Sequence, residues 1–104
     1  VLKENIFTYK IGDVIDLEKL AERLVNLGYE RVSKIEGFGQ FSIRGGIIDI
    51  YPVEADAPYR IELFGDEIEA IKEFDPVTGS ITSNKKSISL FPNNKIGILI
   101  TLFD

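Results

Sequence analysis

The sequence contains no histidine, no cysteine and no methionine. Without histidine it lacks both the usual general acid or base at neutral pH and the commonest metal ligand, which disfavours a metalloenzyme. Without cysteine it forms neither disulfides nor thiolate metal sites, which fits a reducing cytoplasm. Because the chain also starts at Val1 rather than at a methionine, we expect it to be a piece of a longer protein.

Positive charge is scarce as well. The chain has 12 Lys and Arg residues against 17 Asp and Glu residues, a formal net charge of -5. Nucleic-acid binding without sequence preference depends on neutralising phosphates with basic side chains, so this balance disfavours it. We find no signal-peptide pattern and no apolar run near the ~20 residues that span a bilayer, and therefore expect a cytoplasmic protein without membrane contact.

What is present predicts one α+β domain. One amphipathic helix is predicted over about residues 16–27, with Asp16 as N-cap and a Schellman ending at Gly28 and Tyr29. Strands are predicted at residues 6–11, 31–36, 40–44, 47–51, 59–64, 67–74, 87–91 and 97–103. We expect an antiparallel meandering β-sheet with this helix packed on one face.

Alternation along the strands predicts which side chains share a face. The purely apolar set, for example Ile61 and Leu63, should lie beneath the helix. The opposite set carries Arg44, Arg60, Glu62 and Phe64, and we expect it to be solvated. If the two arginines have no structural partners, replacing either one by alanine should lower the free energy of unfolding by about 0.5 kcal/mol or less. Arginine and aromatic side chains are enriched at binding hot spots, which favours a protein-binding face. An ordinary solvated face, with Phe64 covering the sheet edge, remains an alternative.

Catalytic interpretations have less support. Several carboxylates lie along 66–75, but a hydrolase needs a fixed pair with one raised pKa, and a charged strand edge is the simpler interpretation. The glycines between residues 37 and 46 join strands and do not match a phosphate-binding loop. We interpret residues 84–86 as a loop rather than a phosphate site. Pairing of a partner with an exposed edge strand is a second route to protein binding, and the apolar run 98–103 needs covering.

Two segments carry a family resemblance. YERVSKIEGFGQFSIRGGIIDIYP, at 29–52, and PYRIELFGDEIEAIKEFDPVTG, at 58–79, resemble the UvrB-interaction-type domain that the repair protein UvrB shares with bacterial transcription-repair coupling factors. The resemblance covers roughly residues 6–92, and SLFP at 89–92 belongs to it. Ser42 and Gly46 stand where UvrB usually has an arginine and an acidic residue, so the coupling factor is favoured, with UvrB's own domain as the alternative.

The resemblance implies a docking domain for UvrA, the damage-recognition ATPase of nucleotide excision repair, without catalysis or cofactor. The site residues it implies are Arg44, Arg60 and Phe64, with Ser42 and Glu62 as secondary contacts. In the longer protein the same surface would be masked by a C-terminal domain until RNA polymerase is engaged, and ATP and DNA would be handled by other domains. A nucleic-acid-binding accessory domain is the remaining alternative. We divide the chain into this domain at 1–92 and an extension at 93–104, because the tail departs from the family pattern.

Overall fold

The protein is described by a computed structural model covering residues 6–93. Within that range the chain forms one helix and eight strands. In order they are β1 Phe7–Lys10, α1 Leu17–Asn26, β2 Glu30–Arg31, β3 Gln40–Arg44, β4 Ile47–Tyr51, β5 Tyr59–Phe64, β6 Glu67–Phe74, β7 Ile81–Lys85 and β8 Ser87–Leu90. The predicted α+β class is confirmed, while the strand predicted at 97–103 lies outside the described residues.

The helix begins and ends as its sequence predicts. The Asp16 carboxylate accepts hydrogen bonds from the backbone N–H groups of Glu18 and Lys19, at 2.9 and 3.3 Å. At the other end Gly28 has a φ of 94°, and the N–H of Tyr29 reaches the carbonyl of Leu24 at 2.9 Å. This is the Schellman arrangement, and it turns the buried Tyr29 ring back onto the last helical turn.

The main sheet has six strands in the order β2-β3-β4-β5-β6-β7. Neighbouring strands are antiparallel from β3 onward, whereas β2 and β3 pair in parallel. The β3–β4 and β5–β6 hairpins turn through two residues each, and the first residue of each turn, Gly45 or Gly65, has a positive φ of 58° or 64°. Glycine tolerates this geometry without steric cost, which fixes the register of both hairpins.

A β-bulge keeps the apolar residues of β6 on the face that packs in the core. Leu63 pairs with Ile68, but the preceding Glu62 pairs with Ala70, so Glu69 is an extra residue on β6. Strict alternation would send Ile68 and Ile71, three residues apart, to opposite faces. The bulge instead places both on the helix side, where neither is more than 1% exposed.

The core lies between this sheet, the helix and a second small sheet. Strands β1 and β8 pair antiparallel and contribute Ile88 and Leu90, which are buried with Leu24 of the helix and Ile48 and Ile61 of the main sheet. The apolar sets of β3, β4 and β5 thus face the helix, as predicted. One face of the main sheet is therefore covered, and the other is left to present side chains.

The predicted secondary structure needs correction at three points. The strand predicted at 31–36 shrinks to Glu30–Arg31, because the chain leaves the sheet edge after a short parallel pairing with β3. Strand β7 was not predicted, since its sequence ITSNK is polar and it occupies an exposed edge. The interpretation of 84–86 as a loop is accordingly wrong for Asn84 and Lys85, which belong to β7.

Among the described residues, no helix is long and apolar enough to cross a membrane.

Candidate protein-binding face

The side of the main sheet opposite the helix carries two arginines around one carboxylate. We call it the arginine face, defined by Ser42, Arg44, Asp49, Arg60, Glu62 and Phe64. Register brings these residues together: Asp49 on β4 stands between Ser42 on β3 and Arg60 on β5. The next row is Arg44, Ile47 and Glu62. Side chains in one row are close enough to interact directly across the strands.

Asp49 organises this face. Arg60 donates from Nε to Oδ1 of Asp49 at 2.8 Å and from Nη2 to Oδ2 at 3.1 Å. The Nη2 of Arg44 lies 3.8 Å from Oδ2 of the same carboxylate. Hydrogen bonding to Asp49 raises the pKa of Arg60 above its ordinary value, against the opposing effect of its partial burial. The two parallel bonds hold the Arg60 guanidinium in one plane and orientation.

The exposed fractions separate the two arginines. The side chain of Arg60 is 24% exposed and that of Asp49 is 10% exposed, whereas the side chain of Arg44 is 63% exposed. The expectation that Arg60 is solvated and free of structural partners is therefore wrong. For Arg44 the expectation holds in part: its side chain is largely exposed, but it keeps one long ionic contact with Asp49. Arg60 is a fixed element of the face, and Arg44 is free to move toward a ligand.

An aromatic ring supports Arg60 from the neighbouring strand. Phe74, at the end of β6, is only 6% exposed, and the Arg60 guanidinium carbon lies 4.8 Å from its ring centroid. This distance is within the range of a cation–π contact. Beside it, Lys72 donates to the carboxylate of Glu62 at 3.1 Å. Glu62 is thus already paired, so it contributes little net charge to the arginine face.

Phe64 is the exposed aromatic of this face. It ends β5 at the β5–β6 turn and is 78% exposed, although its strand neighbour Leu63 packs against the core. Four residues along a strand separate it from Arg60 by about 13 Å, and Arg44 lies in the row between them, two strands or about 10 Å to the side. The three side chains therefore form an open triangle on one surface.

A cavity of about 410 Å³ opens on the same side of the sheet. Residues of the arginine face lining it are Ser42, Arg44, Asp49 and Arg60, together with Phe74. Its walls come from residues 33–35, which follow β2, and from the turn at 76–79. Ser42, which the sequence predicted as a secondary contact, is only 4% exposed. Phe64 does not line this cavity.

Sequence reasoning missed Asp49 as the partner of the arginines. Alternation along β4 puts Asp49 on this side of the sheet, and the two-residue turn at Gly45 and Gly46 fixes its position opposite Ser42. Its pairing with Arg60 depends on the register of β4 with β5. The longer loop between these two strands does not allow that register to be predicted from the sequence. As for metal binding, no group of three or more histidine, cysteine, aspartate or glutamate residues within 6–93 is placed to hold an ion.

Comparison with known proteins identifies relatives across nearly the whole chain. The family model described as the UvrB interaction domain matches residues 7–95. A transcription-repair-coupling factor of Staphylococcus haemolyticus is 42% identical over 88 residues, which cover 85% of this chain and 7% of that protein. The protein of the same name in Bacillus subtilis is 40% identical over 97 residues, or 93% of this chain and 8% of that protein. The chain therefore spans less than a tenth of the length of these relatives.

Proposed function

This chain belongs to the UvrB interaction domain family, and we propose that it is the domain through which a transcription-repair coupling factor recruits UvrA for nucleotide excision repair. It acts by docking and carries out no reaction itself. ATP hydrolysis, DNA translocation and contact with RNA polymerase belong to other parts of the longer protein. There a C-terminal domain masks the docking surface until the polymerase is engaged. The recruitment takes place in the cytoplasm.

The observation that supports this proposal most is the exposed Phe64 beside the two arginines. A large apolar side chain that is 78% exposed contributes little to its own fold and gains most when a partner covers it. Arg44 is available for charge-assisted hydrogen bonds, and Arg60 is held in place by Asp49. A side chain fixed before binding loses less conformational entropy on complex formation. UvrA thus meets one prearranged guanidinium, one adaptable guanidinium and one apolar anchor.

The names of the relatives favour the coupling factor over UvrB as the longer protein. We assign residues 1–92 to the docking domain and treat 93–104 as an extension. Ser42 and Glu62 are secondary parts of the proposed surface. Ser42 lies in the neighbouring cavity, and Glu62 keeps its bond to Lys72.

The test is the affinity of purified UvrA for this chain, measured by isothermal titration calorimetry. Arg44→Ala and Phe64→Ala should each weaken binding by about one to two decades, or ~1–3 kcal/mol. Both side chains are exposed, so neither change should lower the melting temperature substantially. Val25→Ala is the matched control: it removes an apolar side chain that is 53% exposed on the helix, away from the arginine face, and should leave the affinity unchanged.

The competing route is pairing of UvrA with the exposed edge strand β7. In that case backbone hydrogen bonds carry the affinity, and side chains of the arginine face hardly matter. A folded Arg44→Ala/Phe64→Ala double variant that binds UvrA with wild-type affinity would exclude the proposed surface. Absence of any UvrA binding by the wild-type chain would exclude the function itself.

A further inference from the structure

A second exposed apolar side chain lies in the same cross-strand row as Phe64. Val14, between β1 and α1, is 68% exposed. It forms an antiparallel bridge with Glu67, the residue that pairs with Phe64 across the β5–β6 turn. Residues paired in this way have their side chains on the same side of a sheet. Val14, Glu67 and Phe64 therefore form one row on the same side of the main sheet as the arginine face.

Backbone hydrogen bonds fix Val14 in this row. On one side of the bridge, the N–H of Ile15 donates to the carbonyl of Asp66 at 2.8 Å. On the other side, the N–H of Ile68 donates to the carbonyl of Asp13 at 2.8 Å. This is the kind of antiparallel pair in which the two facing side chains lie closest together. Because the bonds involve only backbone groups, a change of the Val14 side chain leaves them in place.

Val14 also lines a cavity of about 570 Å³ between the start of the helix and the β5–β6 turn. The other apolar side chains that line it are Ile15, Leu17 and Leu63, and the charged ones are Asp16, Lys19 and Asp66. Leu17 and Leu63 are half-buried and pack against the core, so the cavity has apolar surface beside an exposed valine. Such a place suits an apolar side chain of a protein partner.

We infer that UvrA places an apolar side chain over Val14 and into this cavity, beside its contact with Phe64. The inference rests on the proposed function and extends its surface to a residue outside the arginine face. A standard interface covers about 800 Å² on each partner, which corresponds to a disc of radius about 16 Å. Val14 lies two strand spacings, or about 10 Å, from Phe64, so a disc centred on Phe64 also covers Val14.

A second copy of the chain fits this row less well. Glu67 lies between the two apolar side chains and is exposed. In a symmetric dimer the row would face itself, which would bring together two Glu67 carboxylates and two chains of net charge -5. A different protein avoids this repulsion, because it can present a neutral or basic group opposite Glu67.

The test changes Val14 in two directions and measures the affinity for purified UvrA by calorimetry. Val14→Thr keeps the branched shape but exchanges a methyl group for a hydroxyl, and it should weaken binding about three- to tenfold. Val14→Leu should strengthen binding about twofold, because the open cavity has room for one more methylene. Neither change should alter the melting temperature substantially, since Val14 is exposed. Val25→Thr, on the helix side, is the matched control and should bind UvrA with wild-type affinity.

Wild-type affinity of Val14→Thr, or binding by Val14→Leu that is no tighter than that of Val14→Thr, would overturn the apolar contact while UvrA binding by the wild-type chain stands. A loss for Val14→Thr that disappears at high salt would also overturn it, because salt does not screen an apolar contact. Self-association of the wild-type chain that Val14→Thr abolishes, measured by sedimentation equilibrium, would overturn it in favour of a second copy. Failure of the wild-type chain to bind UvrA would instead overturn the proposed function.

Discussion

Replacing Arg60 by alanine should destabilise the fold far more than the same change at Arg44. Both arginines approach Asp49, but only Arg60 makes two short bonds to it. Without Arg60, a carboxylate that is only 10% exposed keeps a single contact at 3.8 Å. Arg60→Ala also removes the cation–π contact with Phe74.

The magnitude follows from the burial of the pair. Breaking a buried ion pair costs about 3–5 kcal/mol, because the remaining charge is left without compensation. The Arg60 side chain is 24% exposed and Arg44 remains nearby, so we expect a smaller loss of about 2–3 kcal/mol for Arg60→Ala. For a domain of this size that lowers the melting temperature by about 10–20 °C. Arg44→Ala should cost about 0.5 kcal/mol, as for an exposed ion pair.

Urea denaturation at neutral pH measures both free energies of unfolding. A double variant, Asp49→Ala/Arg60→Ala, serves as the control: it should lose less stability than the sum of its single changes, since it leaves neither charge unpaired. If Arg60→Ala unfolded within about 0.5 kcal/mol of the wild type, or if Arg44→Ala cost as much as Arg60→Ala, the assignment of Asp49 as the organising group would be wrong.

Two further predictions concern the core and alkaline pH. Ile50→Ala, at a position with no exposed surface, should cost about 2–5 kcal/mol in denaturant unfolding, whereas the half-buried Leu63→Ala should cost about 1–2 kcal/mol; equal costs would contradict the burial described. Burial raises the pKa of Tyr29 above its ordinary 10.0, despite the hydrogen bond it accepts from the Val53 N–H. The contribution of Tyr29 to stability should be complete below pH 10 and lost as pH rises through the folded-state pKa, so Tyr29→Phe should flatten the fall of melting temperature above pH 10. Identical slopes of melting temperature against pH for the two proteins would contradict burial of Tyr29 as the cause.

The hairpins were predictable because their turns are short. Gly45-Gly46 and Gly65-Asp66 each leave two residues to reverse the chain, so the register of β3 with β4 and of β5 with β6 follows from sequence. Strand β7 was missed because an exposed edge strand needs no apolar residues, and pattern analysis depends on them. The β1–β8 sheet joins segments about eighty positions apart, and nothing local in either segment specifies its partner.

The candidate site shows the same difference between features that local sequence determines and features that depend on the folded chain. Alternation alone placed Arg44, Arg60 and Phe64 on one side, since the bulge at Glu69 lies on β6 and leaves β5 regular. Alternation does not reveal how far each side chain is buried, so Arg60 was expected to be solvated when it is bound to Asp49. The cavity was beyond sequence reasoning, because its walls at 33–35 and 76–79 are loops that meet only in the folded chain.

The most direct test of the docking proposal leaves the sequence intact. Hydroxyl-radical footprinting, read by mass spectrometry, compares side-chain oxidation in the free chain and in its complex with UvrA. Phe64 is 78% exposed and should react readily when free. We predict strong protection of Phe64 in the complex, with no change at Val25 on the helix. Unchanged oxidation of Phe64 in a saturated complex, with protection appearing at Ile81 on the edge strand β7 instead, would contradict the account.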